Sequence, residues 1–107
     1  MKIQLFYFDG CTSYERALQQ LKDAMKEEGI KEEVEMVRII TEEDVKKYNF
    51  LGSPTVHINA RDVDKEAFLR RDYGMKCRLY WTDIGHRAIP SEEMLREALR
   101  EAKKIIK

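Results

Sequence analysis

The residues with the greatest chemical capacity in this sequence are two cysteines, Cys11 and Cys77, and the turn Gly52-Ser53-Pro54-Thr55-Val56 that lies between them in the chain. A cysteine becomes a nucleophile as the thiolate, and its surroundings set how much thiolate is present. Cys11 falls between an apolar run and an amphipathic segment, at the mouth of a helix. Unpaired N–H groups and the helix dipole favour negative charge there. Thr12 and Ser13 add hydroxyl donors. Cys11 therefore reads either as a reactive thiolate or as a small buried hydrophobe, a common fate of a free cysteine. Pro54 stands at the entrance of a strand and cannot donate to a central ladder. Its position after Gly52-Ser53 is compatible with a cis peptide bond.

Two cysteines far apart in sequence give no Cys-x-x-Cys pair. They are too few for a disulfide-stapled scaffold or a complete structural zinc site. No metal ligand set or cofactor motif is expected. His57 and His86 each stand alone, without a second His or Cys at ligand spacing. Pairing of either imidazole with Cys11 stays open at the level of sequence. In a reducing compartment, Cys11 and Cys77 are either inert or a reversible redox couple.

The elements that must position these groups follow from periodicity. Ile3, Leu5, Phe6, Tyr7 and Phe8 make an almost continuous apolar run, as in a central strand covered on both faces. Asp9-Gly10 ends it. Ser13 to Glu28 repeats apolar residues at Ala17, Leu18, Leu21, Ala24 and Met25, a helix that Gly29 stops. Val34, Met36 and Val37-Ile39-Ile40 form a second strand, which completes a βαβ unit. Thr41 caps a short helix through Lys47, with Glu42, Glu43 and Asp44 in its first turn. Thr55 to Ile58 is a third strand, and Asn59-Ala60 can turn it. Ser91 caps a final helix to about Ile106, with Met94, Leu95, Ala98, Leu99, Ala102 and Ile105 on its apolar stripe. Lys65 to Pro90 is the least periodic part. The expected fold is one α/β domain over residues 1–107, in the order β-α-β-α-β-β-α, with a four-stranded mixed sheet covered by helices and an irregular insertion before the last helix.

The fourth strand decides where Cys77 lies. If it is Asp62-Val63, the segment Lys65–Pro90 can fold back over the site and carry Cys77 to Cys11. If it is Arg78 to Thr82, Cys77 starts at the far end, roughly 15 Å away. A disulfide needs Cα atoms within about 7 Å. The short turn at Asn59-Ala60 favours the first arrangement. Arg78 could stabilise a thiolate on Cys11 or Cys77, or form a surface ion pair with a carboxylate. Tyr80 and Trp81 fit core or half-buried cover better than a pocket wall.

Composition narrows the partners. The 107 residues hold 20 Lys plus Arg against 20 Asp plus Glu, and charged residues make up 37%. This balance argues against nucleic acid or an anionic membrane, both of which select a basic surplus. No apolar run reaches the length of a membrane span. The run from Met1 to Phe8 is too short and too patterned for a signal peptide, so the chain reads as cytoplasmic. Oligomeric state is not encoded in any pattern recognised here.

Phe8-Asp9-Gly10-Cys11-Thr12-Ser13-Tyr14 stands where thioredoxins and glutaredoxins carry Cys-x-x-Cys after the first strand, and Gly52-Ser53-Pro54-Thr55-Val56 looks like their cis-proline loop. The chain resembles a thioredoxin-like family with Cys-Pro-x-Trp, Gly-Ser-Pro-Thr and Cys-Arg-x-Tyr motifs, supplied here as Cys11-Thr12-Ser13-Tyr14, Gly52-Ser53-Pro54-Thr55 and Cys77-Arg78-Leu79-Tyr80. Some relatives are labelled by remote similarity to alkylmercury lyases. The resemblance implies thiol–disulfide exchange with a protein or low-molecular-weight thiol or disulfide. Cys11 would attack, Cys77 or an external thiol would resolve, and the backbone at Ser53 and Pro54 would align an extended substrate by strand addition. Thr12, Ser13, Tyr14 and Arg78 would line that site. Tyr14 replaces the second motif cysteine and Thr12 the proline, so a two-cysteine loop reaction is impossible. Two other readings stand beside this one: thiolate binding of a soft metal or organomercurial, and a non-catalytic binding module that keeps the fold.

Overall fold

A computed structural model describes residues 1–105, with side chains through Lys104. Four strands form one mixed sheet: β1 (Ile3–Tyr7), β2 (Val34–Arg38), β3 (Thr55–Ile58) and β4 (Arg61–Asp62), in the order β2-β1-β3-β4. β2 runs parallel to β1; β3 is antiparallel to β1, and β4 to β3. The near-continuous apolar run places β1 inside the sheet, where Ile3, Leu5 and Phe6 are buried.

Alternation along β1 gives the sheet two cores. Ile3 and Leu5 join Val56 and Ile58 under two helices, α1 (Tyr14–Glu27) and α3 (Glu92–Ile105). Ala17, Leu21, Ala24, Leu95, Leu99 and Ala102 complete this side. Phe6 turns to the other face and packs with Ile39, Val45 and Phe50, beneath α2 (Glu42–Tyr48). The caps follow the sequence. The Thr41 hydroxyl accepts from the Asp44 N–H at 3.1 Å, and Asp44 returns the bond to the Thr41 N–H. Ser91 accepts from the Met94 N–H at 3.1 Å. The expected end of the last helix at Ile106, and the side chain of Ile105, lie outside the described residues.

Two expectations change. The fourth strand is Arg61–Asp62 rather than Asp62-Val63, one residue earlier than expected, and it keeps the short-turn arrangement, with Asn59 and Ala60 both at positive φ. The insertion is not wholly irregular. It contains a 3-10 turn at Ala67–Leu69 and a two-stranded ribbon, β5 (Tyr80–Thr82) with β6 (Gly85–Arg87). Tyr80 faces the core with no exposed surface, while Trp81 is 71% exposed, so Trp81 is not the half-buried cover its type suggested.

Candidate functional site: a paired-thiol centre at the Ser53–Pro54 turn

Cys11 sits in the loop that leaves β1, ahead of the helix itself: α1 begins at Tyr14, with Ser13 as its N-cap. The Cys11 N–H donates to the Phe8 carbonyl at 3.2 Å, which folds the loop tightly. The Ser53–Pro54 peptide bond is cis. The Thr55 hydroxyl donates to the Gly52 carbonyl at 2.6 Å and closes the turn. The two loops meet, because β1 and β3 are adjacent in the sheet. The Cys11 thiol donates to the Ser53 carbonyl at 3.5 Å.

The third part of the site comes from the insertion. The Ser53 N–H donates to the Lys76 carbonyl at 2.8 Å, and the Arg78 N–H donates to the Ser53 carbonyl at 2.9 Å. Ser53 and Cys77 thus form a parallel bridge. This overturns the expected use of the turn as an open edge for substrate. Both backbone groups of Ser53 are already paired within the chain, and the Pro54 carbonyl accepts from the Tyr80 hydroxyl. Ser53 and Pro54 are buried. The chain has added its own strand where the resemblance implies a foreign one.

The electrostatics of the thiols follow from this packing. Cys11 is 3% exposed. Burial pushes its thiol up, but the Cys77 thiol, the Ser13 N–H and the Ser13 and Ser53 hydroxyls act against burial, and together they hold it below the ordinary cysteine value. Cys77 is exposed, and its thiol is pushed up, first by the bond it donates to Cys11 and then by burial. The Ser53 hydroxyl is buried without a hydrogen-bond partner among the described residues. The two thiols are thus shifted in opposite directions, Cys11 down and Cys77 up.

The other candidates fall in different places. Thr12 is exposed and is not among the groups that shift Cys11. Tyr14 is half-buried and stacks on Tyr7, with ring centroids 4.4 Å apart. Arg78 is neither a surface residue nor a thiolate partner. Its guanidinium is fully buried and donates to Asp62 at 2.7 and 3.0 Å and to the Thr55 hydroxyl at 3.1 Å, with Asp64 at 3.7 Å. It also lies over the Tyr80 ring, 4.4 Å from the centroid. Arg78 therefore anchors the Cys77 segment to β4. The sequence offers Asp62 only as the start of a strand and gives Asp64 no role in the site; their one signal is two carboxylates close together after the Asn59-Ala60 turn.

His57 packs on Phe6 and lies 3.8 Å from Asp62, while His86 meets Trp81 edge-on. Burial holds the His57 imidazole below its ordinary value. Neither histidine hydrogen-bonds to Cys11. A cavity of about 760 Å³ lies along β3 and β4, lined by His57, Asp62, Lys65, Phe68 and Arg71 among others. No cysteine lines it. Among the described residues no group of three or more His, Cys, Asp and Glu side chains is placed to hold a metal ion, and no helix is long and apolar enough to cross a membrane.

Compared with known proteins, the chain matches no family model, and no curated protein or solved structure matches it. The functional reading therefore stands on the site itself.

Proposed function

We propose that the chain is a thioredoxin-like domain whose Cys11 and Cys77 form a dithiol–disulfide couple, acting in thiol–disulfide exchange with a protein or low-molecular-weight partner. Support for the topology comes from the element order, the mixed sheet and the meeting of the loop after β1 with a cis-proline turn before β3. The observation that carries the redox reading is the Ser53–Cys77 bridge, which brings the second thiol to the loop that already holds the first. Tyr14 removes the usual second cysteine, and Cys77 takes its place from the other end of the chain.

Oxidation of the pair removes two electrons and two protons and forms one S–S bond. The reverse step reduces it at the expense of a partner dithiol. Mild oxidation followed by peptide mapping under non-reducing conditions tests this. The expected product is an intramolecular Cys11–Cys77 bridge that a dithiol reverses. Recovery of two free thiols, or of intermolecular dimers alone, rejects the couple.

A second reading rests on the same adjacency. Two thiols brought to one turn suit linear coordination of a soft cation or an organomercurial. Stoichiometric mercury binding that needs both sulfurs, in a protein that forms no reversible bridge, selects it over exchange.

A further inference from the structure

The paired thiols differ in access, and that difference assigns an order to the exchange. We infer that partners meet Cys77, and that Cys11 is the internal sulfur that leaves or resolves. This rests on the exchange reading above. It reverses the order that the resemblance implies, in which the cysteine after the first strand makes the attack.

Disulfide exchange is a displacement in which attacking, central and leaving sulfurs approach a line. Cys11 is enclosed. The Ser53 carbonyl takes its S–H, the segment Lys76–Arg78 is bonded across Ser53 at both its N–H and its C=O, and 3% of the residue remains accessible. A partner sulfur has no approach to it while that bridge is intact. Cys77 lies on the outer side of the same segment. Exposure alternates there: Cys77, Leu79 and Trp81 are exposed, while Arg78 and Tyr80 are buried. The buried pair fixes the backbone, and the outer row presents the thiol to solvent.

Starting from the oxidised protein, a partner thiolate attacks the Cys77 sulfur. The Cys11–Cys77 bond breaks and Cys11 keeps the electron pair as a thiolate. Its site suits that charge, since the Ser13 N–H and the Ser13 hydroxyl favour it. A sulfur with a lowered pKa is also the faster leaving group. A second partner thiolate then displaces Cys77, which takes a proton from solvent. The partner has lost two electrons as its new disulfide, and the protein has gained them as two thiols. In the reverse direction Cys77 attacks a partner disulfide and releases one partner thiolate. Cys11 then attacks Cys77, frees the second and restores the bridge.

Two measurements test the order, with glutathione as the probe. Reduced Cys11→Ser and Cys77→Ser proteins are each treated with oxidised glutathione, natively and in urea. Natively, Cys11→Ser, which keeps Cys77, should be modified at least about tenfold faster than Cys77→Ser, and urea should abolish the difference. Independently of any variant, oxidised wild-type protein is mixed with reduced glutathione, quenched in acid and mapped, with the adduct expected on Cys77. An adduct on Cys11, or equal native rates for the two variants, overturns the order of attack and leaves the couple standing. A wild-type protein that forms no internal bridge removes the couple itself, whichever variant reacts faster.

Discussion

Gly52 lies so close to Arg78 that no side chain fits between their backbones. A Cβ on Gly52 would stand 3.0 Å from the Arg78 Cβ, 3.2 Å from its nitrogen and 2.9 Å from the Lys76 carbonyl oxygen. Gly52 also has φ of 122°, which L side chains rarely adopt. Close approach and backbone conformation thus require glycine for separate reasons, and both serve the bridge that holds Cys77 beside the turn. Gly52→Ala should cost about 1–3 kcal/mol in urea denaturation. It should also slow formation of the Cys11–Cys77 bridge, because the segment carrying Cys77 must shift. A variant as stable as wild type that oxidises at the same rate would show that the contact does not hold the thiols together.

Arg78 carries its charge into the interior, and Asp62 is what makes this tolerable. With the carboxylate gone, the guanidinium keeps Asp64, at 3.7 Å, the Thr55 hydroxyl and the face of the Tyr80 ring. Asp62→Ala should therefore destabilise by about 3 kcal/mol, the penalty for leaving a buried charge short of its partner. The double variant Arg78→Met, Asp62→Leu removes both charges and should recover much of that loss. Denaturant midpoints for the two proteins, compared with wild type, decide this. A double variant as unstable as Asp62→Ala would mean that the pair contributes through shape rather than charge.

Much of this architecture can be read from residue order. The apolar run of β1, the 3.6-residue stripes of α1 and α3, the Thr41 cap and the Asn59-Ala60 turn each carry a local signal, and each element formed within a few residues of its expected bounds. The ribbon β5–β6 left no such trace. Trp81 in β5 and Ile84 in the turn are apolar and exposed, while Tyr80 beside them is aromatic and buried, so residue type gives no contrast between a buried and a solvated face.

The site was legible in its residue types and illegible in its pairing. Cys11 and Pro54 come together because the ends of adjacent strands must, and element order alone suggested it. That Ser53 would spend both backbone groups on Lys76 and Arg78 could not be read, since backbone bonds are indifferent to side-chain identity. Gly52 is the residue type that so close an approach requires. For Arg78 the sequence leaves a surface ion pair and a thiolate contact both open, because nothing in it shows which of many carboxylates a buried guanidinium will find.

Glu28 ties the end of α1 to α3 and gives the fold a defined acid sensitivity. Its carboxylate accepts from Arg96 at 2.9 Å, Arg100 at 3.1 Å and Lys103 at 3.2 Å. Chiefly the Arg96 bond, then those of Arg100 and Lys103, outweigh burial and hold its carboxyl down at about 2. An unfolded glutamate titrates near about 4.3. Between these values the unfolded chain binds a proton that the folded chain does not, so acid favours unfolding there. The stabilisation from Glu28 is present in full above about pH 5 and falls away as pH drops toward 2. Glu28→Gln cannot titrate. The stability gap between wild type and this variant should be constant near neutrality, shrink below about pH 4.5 and close near pH 2. Because other carboxylates titrate equally in both proteins, the difference isolates this one. Thermal melts of the two proteins across that range measure it, and a gap independent of pH would mean that the three cations do not act on the charge of Glu28.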